Sequence, residues 1–436
     1  MSKFQLILIS IFVLFIVAGV VAFSLFKSSS GQTSLSAITV WGTLPNDKVM
    51  NFITQVNSTR IDQLPVTYVE KSEATFESEF VNALANGRGP DAILIPQDMI
   101  LANENKLLLI PYTAMTQRDF TDTYVSETEL YLRTEGITAI PFTIDPLVMY
   151  WNRDLFTNAG IASAGTIKKP LLWSQLAQYG LALTQKDVNS NIKKSVLAMG
   201  DFQNVNHARE ILSTLLFQAG NPVTVRAADN SVSSAFGNGL YQGLTTSQPA
   251  VQFFTKFADP TSPIYSWNRS LPTSQSWFLS GNLATYFGFA SELQSIRSKN
   301  PNLNFDAAPL PQADNPAVRT TYGRLYGFSL VKNSANPSAA YTILQYLTSA
   351  DSLAMWSSEN YLPSVRRDVI GAGTTDPYLT IFNDGALISR GWLDPSPANS
   401  SALFSKMIES ITSGSQQYDQ AIQQTSDAID LMIKSI

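Results

Sequence analysis

Residues 139–156 of this 436-residue chain read AIPFTIDPLVMYWNRDLF. The apolar run Leu147–Trp151 within them predicts a strand. Pro141 to Asp145, directly before that strand, is a proline-containing segment of the kind that links two structural units. Asp145 precedes Pro146, so we expect it either to cap a turn or to point into a crevice at the strand's edge.

Upstream of this stretch, strands alternate with helices. The predicted strands are Ala37–Trp41, Leu64–Val69 and Ala92–Ile95. Asn46 or Asp47 is the predicted cap of the first helix and Ser72 that of the second. Alternation at this spacing predicts an α/β fold with a mainly parallel sheet and helices on both faces.

The alternation continues downstream with different content. Strand-like runs are Leu283–Phe287 and Leu325–Val331, and helix-like runs are Leu171–Leu183, Pro249–Phe257, Pro337–Leu347 and the chain from Ser401 onward. A chain of this length is too long for one hydrophobic core, so we expect one anchor segment and two globular lobes.

Composition excludes several classes of site. The chain has no cysteine and a single histidine, His207, which excludes disulfides, thiolate nucleophiles and cysteine-ligated zinc. We expect no metal and no cofactor. The net charge of −5 is mild and Lys and Arg are not clustered, so nucleic acid is not an expected partner. His207 is expected to be a surface or helix-start residue before an amphipathic helix that carries Ile211, Leu212, Leu215 and Leu216 on one face.

The N-terminus predicts a membrane anchor. Phe4–Phe26 is almost unbroken apolar sequence, long enough as a helix to cross about 30 Å of hydrocarbon. Lys3 at its start favours an N-terminus on the cytoplasmic side. We therefore expect an uncleaved signal anchor at 1–27, a flexible tether at 28–35, and a globular body on the extracytoplasmic side.

Several segments, in order, resemble the family 1 extracellular solute-binding proteins, the group that includes maltose-binding-protein-like receptors of sugar ABC importers. They are Asn86–Ile95, Leu107–Pro111, Ala139–Phe156 with Ala159-Gly160-Ile161 and Leu172-Trp173, Trp277–Thr285, Ala308–Pro311, Asn336–Ser349 and Tyr361–Pro363 with Arg366 and Arg367. Two features depart from the family: Gly288-Phe289-Ala290 replaces a common pair of glycines and a tryptophan, and the lipidated cysteine is missing.

The resemblance implies a periplasmic-binding-protein-like type II fold, in which three crossover segments join two α/β lobes around a cleft. Lobe one would comprise 36–141 with 312–355, and lobe two 142–311 with 356–436. The hinge candidates are Pro141–Asp145 and Pro309–Pro311. The implied function is capture of a sugar or polyol by hinge closure and delivery to an ABC permease, without catalysis, by a monomer.

Sugar recognition needs flat apolar surfaces for pyranose faces and polar side chains for hydroxyl groups. The candidate ligand-binding residues are Trp41, Asp91, Asp145, Tyr150, Trp277, Phe287, Phe289, Trp356 and Tyr361. For Asp91 the alternative is bracing of the turn after Pro90. Arg366 and Arg367 are candidates either for holding an anionic substituent or for an exposed ion pair between the lobes, and we favour the ion pair.

Two other functions stay open at this point. A surface receptor that reports its bound state to a membrane sensor would use the same clamp, so the sequence does not separate it from a transport receptor. A glycoside hydrolase would need two carboxylates about 5 to 9 Å apart, and no spacing in the sequence singles out such a pair. The identity of the ligand is equally open.

Overall fold

In the computed structural model, the described residues are 35–161, 167, 171–237, 247–316 and 318–436. The predicted membrane segment Phe4–Phe26 and the tether Ser28–Ser34 lie outside them. Within these ranges, none of the helices combines the length and the apolar character that a membrane crossing requires.

The strands are β1 Ile38–Gly42, β2 Val66–Glu70, β3 Ala92–Pro96, β4 Leu107–Leu108, β5 Leu132–Arg133, β6 Gly136–Ile137, β7 Ile140–Asn152, β8 Gln185–Lys186, β9 Ile192–Lys194, β10 Thr224–Arg226, β11 Val232–Ser234, β12 Thr285–Phe289, β13 Phe305–Ala308, β14 Thr321–Val331 and β15 Ser389–Arg390. The predicted strands near 38, 66, 92, 147, 283 and 325 all coincide with observed ones.

The helices are α1 Asn46–Ser58, α2 Glu73–Ala85, α3 Gln117–Thr123, α4 Arg153–Asn158, α5 Trp173–Leu183, α6 Ala208–Gln218, α7 Ser247–Lys256, α8 Ser274–Leu279, α9 Leu293–Lys299, α10 Pro337–Leu347, α11 Ala350–Asn360, α12 Arg367–Gly371, α13 Pro377–Leu387, α14 Pro397–Thr412 and α15 Tyr418–Lys434. The first helix begins after Pro45, and neither Asn46 nor Asp47 is its cap. Ser72 does occupy the cap position of α2, although its side chain makes no capping hydrogen bond.

The main sheet has the strand order β12-β7-β14-β3-β1-β2. The prediction of a mainly parallel sheet is correct for β1 with β2 and β3, and among the other described pairs β14 with the short strand β15 is parallel as well. In contrast, β14 runs antiparallel to both β3 and β7, and β12 and β13 run antiparallel to β7. Strands β7 and β14 carry the chain across the molecule in opposite directions, so they pair antiparallel with each other.

Buried side chains form two hydrophobic clusters. The members of the first core come from Ile38 to Ile144 and from Leu325 to Trp356, with Val365 and Ala386 in addition. The second core contains Leu147 to Leu310, Tyr322, Leu362, Phe382, and Trp392 to Ile429. Each cluster combines strands with covering helices, so the molecule has two α/β units that share a continuous sheet.

Two long strands connect the cores. Ile144 is the last residue of β7 in the first core, and Leu147 is the first in the second. In β14 the change falls between Tyr322 and Leu325. Pro141–Asp145 therefore lies next to a crossing, as expected for a hinge candidate. Pro309–Pro311 lies more than ten residues before the second crossing, and Leu310 still packs in the second core.

Helix α6 corrects one expectation about patterning. All of its residues from Ala208 to Gln218 are buried, so the helix is covered on every side rather than amphipathic. Its position explains this, because α6 packs between α7 and β14. A charged pair, Arg209 and Glu210, is consequently buried at its first turn.

Candidate functional site

A cavity of about 610 Å³ lies between the two cores. The first core contributes one wall, from the start of α2 and the segment after β3, and the second core contributes the other. The residues are Glu73, Ala74, Glu77, Pro96, Asp98, Met99, Ala102 and Asn103 on the first wall, and Phe202, Val205, His207 to Glu210, Pro395 to Ala398 and Ser401 on the second, with Arg324 of β14 between them. The volume falls within the range of about 300 to 1,000 Å³ typical of small-molecule sites.

Arg209 joins the two walls. Its Nη2 lies 2.8 Å from Asp98 Oδ2 on the first wall, and its Nη1 lies 2.9 Å from Asp394 Oδ2 on the second. Its Nε donates to Glu210 Oε1 at 3.1 Å. All four side chains are at most 8% exposed. A buried arginine shared by three carboxylates is stable only because each charge has a partner.

Burial and nearby charge shift the pKa values of Glu210 and Asp394 in opposite directions. For Glu210, burial alone would raise the pKa, but the positive charges of Arg209, His207 and Arg324 lower it to about 2. For Asp394, burial raises the pKa to about 7 and the charge of Arg209 offsets only part of this. Glu210 is therefore ionised at neutral pH, whereas Asp394 titrates near neutrality.

His207 lies next to this network, directly before the first turn of α6. It precedes α6 in a left-handed backbone conformation (φ 58°), and its Nε2 lies 2.7 Å from Glu292 Oε1. Burial lowers the pKa of His207, but its hydrogen bond to Glu292 and the charge of Glu292 raise it above the ordinary value overall. The expectation of a helix-start residue is confirmed. Its side chain is partly buried and pairs with Glu292 in the cleft wall, so of the two expected alternatives the helix-start one applies.

Arg324 has no comparable partner. Its guanidinium carbon lies 4.8 Å from the centre of the Phe289 ring, and no described residue forms an ion pair or hydrogen bond with it. Burial lowers the pKa of Arg324, but the charges of Tyr326, Glu210, Asp98 and Glu73 raise it above the ordinary value overall. Its donors are thus available to a molecule in the cavity.

The remaining lining supplies acceptors and apolar surface. Glu73 and Glu77 are four residues apart on α2, so their carboxylates share one face of that helix. Phe202 and Val205 lie on the opposite wall. Carboxylate acceptors, guanidinium donors and a small apolar face together suit a neutral solute with many hydroxyl groups.

Two predicted site residues lie beside this cavity. Asp145 is cross-strand partner of Arg324 in the β7–β14 pair. Its Oδ1 accepts a hydrogen bond from the Ser291 backbone N–H at 3.0 Å, and burial raises its pKa to about 6. Phe289 is 3% exposed and packs beneath Arg324. Both residues contact the strand position of Arg324 from behind the cavity wall, and neither lines the cavity itself.

Four predicted aromatic contacts are core residues. Tyr150 donates its hydroxyl to Phe289 O at 2.9 Å, and the Trp277 ring packs edge-on against Trp267. Phe287 packs edge-on against Trp173 in the same core. Trp356 lies in the first core and donates Nε1–H to Thr143 Oγ1 at 2.9 Å. Their placement gives no support to ligand contacts, because the cores already cover these rings.

The other predicted residues are not among those that line the cavity. Asp91 accepts hydrogen bonds from Thr39 N–H and Ser334 Oγ, which is the bracing role weighed as its alternative. Lys71 covers the ring of Trp41 at 4.1 Å. Tyr361 is an exposed residue at the end of α11.

The two arginines considered for an anionic substituent are held by protein groups. Arg366 pairs with Asp368, two residues further along the chain, at 2.6 Å. This is a local ion pair and not the expected one between the lobes. Arg367 donates to Tyr124 O and Ser126 Oγ.

The cavity is instead lined by charged residues that the sequence reading passed over. Arg209-Glu210 interrupts an otherwise apolar helical stretch, and Glu73 and Glu77 repeat at helical spacing directly after the second strand. Both patterns are visible in the sequence. The first in particular signals a site, because charged side chains are rarely buried without a partner.

Comparison with known proteins identifies the family. The profile of the bacterial extracellular solute-binding protein family matches residues 63–354, more than half of the chain. A binding protein of Brucella abortus strain 2308 is 22% identical over 335 residues, which cover 72% of each chain.

Solved structures share the fold. The cyclic alpha-maltosyl-1,6-maltose binding protein from Arthrobacter globiformis superposes with a TM-score of 0.69, covering 92% of this chain and 100% of its own at 18% identity. A cyclo/maltodextrin-binding protein complexed with maltotetraose superposes with a TM-score of 0.68, covering 93% and 98% at 17% identity. The chain therefore belongs to the family of bacterial extracellular solute-binding proteins.

Proposed function

We propose that this protein captures a carbohydrate-like solute outside the cytoplasm, in the cavity between its two cores, and delivers it unchanged to an ABC permease. The observation that carries the proposal is the cavity itself, whose two walls belong to different cores and whose polar groups include the unpaired donors of Arg324. A solute that contacts both walls stabilises the closed arrangement, which is how hinge-closing receptors hold their ligands.

The chemistry of the lining supports a sugar or polyol. Hydroxyl groups both donate and accept, so they match a wall of carboxylates, Glu73 and Glu77, facing the guanidinium of Arg324. Phe202 offers an apolar surface of limited area. Structures with this fold include receptors whose bound ligands are malto-oligosaccharides and tagatose.

The lobes of the proposal follow the sequence division, with lobe one at 36–141 plus 312–355 and lobe two at 142–311 plus 356–436. The separation of the buried residues into two cores supports this division, and the β14 crossing near Arg324 replaces Pro309–Pro311 as the second hinge candidate. Closure would then change backbone angles near Pro141–Asp145 and near Arg324.

Membrane attachment is part of the same proposal. The apolar segment Phe4–Phe26 would hold the monomeric receptor at the outer face of the membrane beside its permease. Protease added to intact cells tests this, because it should shorten the protein while leaving a fragment in the membrane. A protein that resists the protease until the cells are lysed would contradict it.

A thermal-shift screen tests ligand capture. The panel contains monosaccharides, oligosaccharides and polyols. A solute that binds only the folded state raises its stability by RT ln(1 + [L]/Kd), about 2.7 kcal/mol at a concentration of 100 Kd. We expect a hit from this panel, and we expect Arg324→Gln to weaken its binding by at least tenfold.

Helix α2 offers a matched pair of variants. Glu77→Gln changes a carboxylate that lines the cavity, and Glu79→Gln changes one that pairs with Lys71 outside it. The first should weaken binding of the hit and the second should not. No shift with any member of the panel would contradict a carbohydrate ligand, whereas equal effects of the two variants would contradict the site.

A further inference from the structure

The hairpin β10–β11, residues 224–234, reaches from the second core to the first. Its two ends are fixed in the second core by Val223 and Phe236, both fully buried. Ser234 adds a hydrogen bond from its N–H to Asp430 of α15, at 2.6 Å. We call residues 224–234 the strap.

The strap contacts a hairpin that belongs to the first core. Residues 132–137 form this second hairpin, β5–β6, and Tyr131 and Ile137 at its ends are buried in the first core. Thr134 donates its N–H to Asn230 Oδ1 and its hydroxyl to Ala228 O, both at 3.0 Å. Asn230 in turn donates Nδ2–H to both carboxylate oxygens of Glu135 at 3.0 Å.

Glu104 is the charged centre of this contact. One of its carboxylate oxygens pairs with Arg226 of the strap and the other lies 3.2 Å from Nη1 of Arg133. Glu104 is 11% exposed and Arg226 13%, so both are largely shielded from water and from salt. Such a pair is held more firmly than an exposed one, and losing one partner leaves the other charge uncompensated.

The strap also borders the cavity. Asn103, the neighbour of Glu104, lines the first wall. On the side of the second core, Thr224 of the strap donates its hydroxyl to Leu393 O at 3.1 Å, two residues before Pro395 of the second wall. The contact between the hairpins therefore fixes the distance between the two walls at one end of the cavity.

We propose that the strap holds the two cores together across the cleft in the absence of ligand, and that Glu104 is the positioning residue that secures it. The consequence for binding rests on the proposed solute capture, but the strap itself does not. With the strap closed, the cavity is already near its binding width, so the solute does less work to organise it. Opening the strap becomes a step in both entry and release.

Hydrogen exchange of the full chain without ligand tests the strap directly. In the wild type, peptides covering 132–137 and 224–234 should be protected. Glu104→Gln removes the charge at nearly constant shape, and we expect at least tenfold faster exchange in both peptides. Glu79→Gln makes the same change at the exposed ion pair with Lys71 on helix α2, away from the strap, and should leave both peptides unchanged. Unprotected hairpins in the wild type, or equal exchange in the two variants, would overturn the proposal.

Arg226→Gln removes the other partner of the same ion pair, and it replaces Glu104→Gln in the exchange experiment if that variant fails to fold. For a solute identified in the sugar panel, Glu104→Gln should speed release by at least fivefold, although Glu104 does not line the cavity. Release at the wild-type rate would overturn the coupling of strap and site. Failure of every sugar to bind would contradict the proposed function, and the exchange experiment would still decide the strap.

Discussion

Glu127 is a buried carboxylate placed at the β14 crossing. It is 2% exposed, and neither of its oxygens has a hydrogen-bond partner among the described residues. Burial raises its pKa from 4.5 to about 8, against a smaller lowering by Arg390. Between these two values the folded state binds a proton that the unfolded state has released. Stability should therefore fall as the pH rises from about 4.5 to 8.

Glu127→Gln should remove this loss. We expect the variant to be more stable than the wild type at pH 8, by up to roughly 4 kcal/mol, and no more stable at pH 4.5. Urea denaturation at several pH values measures the difference. Asp145 and Asp394 also have raised pKa values but are present in both proteins, so the difference isolates Glu127. Parallel stability curves for the two proteins would contradict the prediction.

Arg209 provides a second prediction for a single side chain. Arg209→Met keeps an unbranched apolar stem in place of the arginine stem but leaves Asp98, Glu210 and Asp394 without their shared cation. We expect a loss of about 3 to 5 kcal/mol at pH 7, measured by urea denaturation. The loss should shrink at pH 5, where the acids can take up protons without a partner. A loss below about 1 kcal/mol at pH 7 would show that the acids relax into other contacts.

The aromatic candidates show where sequence reasoning stops at this scale. Trp277 and Trp356 occur close to places that the family uses for binding walls, yet in this fold both rings complete a core. An apolar ring near a strand end serves either purpose equally well. The choice depends on which neighbour covers the ring, and that neighbour is distant in the chain. Trp356, for example, packs against Phe52 and Phe142.

Strand β14 is tightly packed at its crossing. A Cβ on Gly323 would lie 2.1 Å from Glu127 Oε2 and 2.9 Å from Ser389 Cβ. Gly323→Ala should therefore force the strand, or β15 beside it, to shift, at a cost of about 1 to 3 kcal/mol. Thermal denaturation measures the loss. Gly371→Ala is the control, since no atom lies within 4 Å of a Cβ there. Equal stability of the two variants would contradict a tight crossing.

Most elements were predictable because their signals are local. The strand Ala92–Pro96 and the helix Pro337–Leu347 each follow from a short apolar pattern with clear ends. Helix α6 was misread as amphipathic because the chains that bury its outer face come from elsewhere. One of them is β14, where the Tyr322 N–H donates to Thr214 Oγ1 of the helix. When a distant part of the chain buries the outer face of a helix, the periodic spacing of apolar residues in its sequence does not reveal that burial.

At the scale of the whole molecule, strand direction was the property that the sequence pattern did not reveal. Alternating strands and helices predict parallel pairing between neighbours in the chain, and β1, β2 and β3 obey this. The strands that join the cores pair with partners far away, for example Leu330 with Ala92. The resemblance to the solute-binding family implied two lobes and a cleft, which a reading of periodicity alone would have left undecided.

The two walls of the cleft allow a prediction that involves both cores at once. A solute that bridges them should slow hydrogen exchange at the start of α2 in the first core and at Pro395–Ser401 in the second, with the same concentration dependence. A compound that rests on one wall would protect that wall alone. Arg324→Gln should weaken protection of both walls together, because Arg324 lies between them on the strand that joins the cores. Loss of protection at only one wall would mean that Arg324 serves that lobe and that closure depends on other contacts.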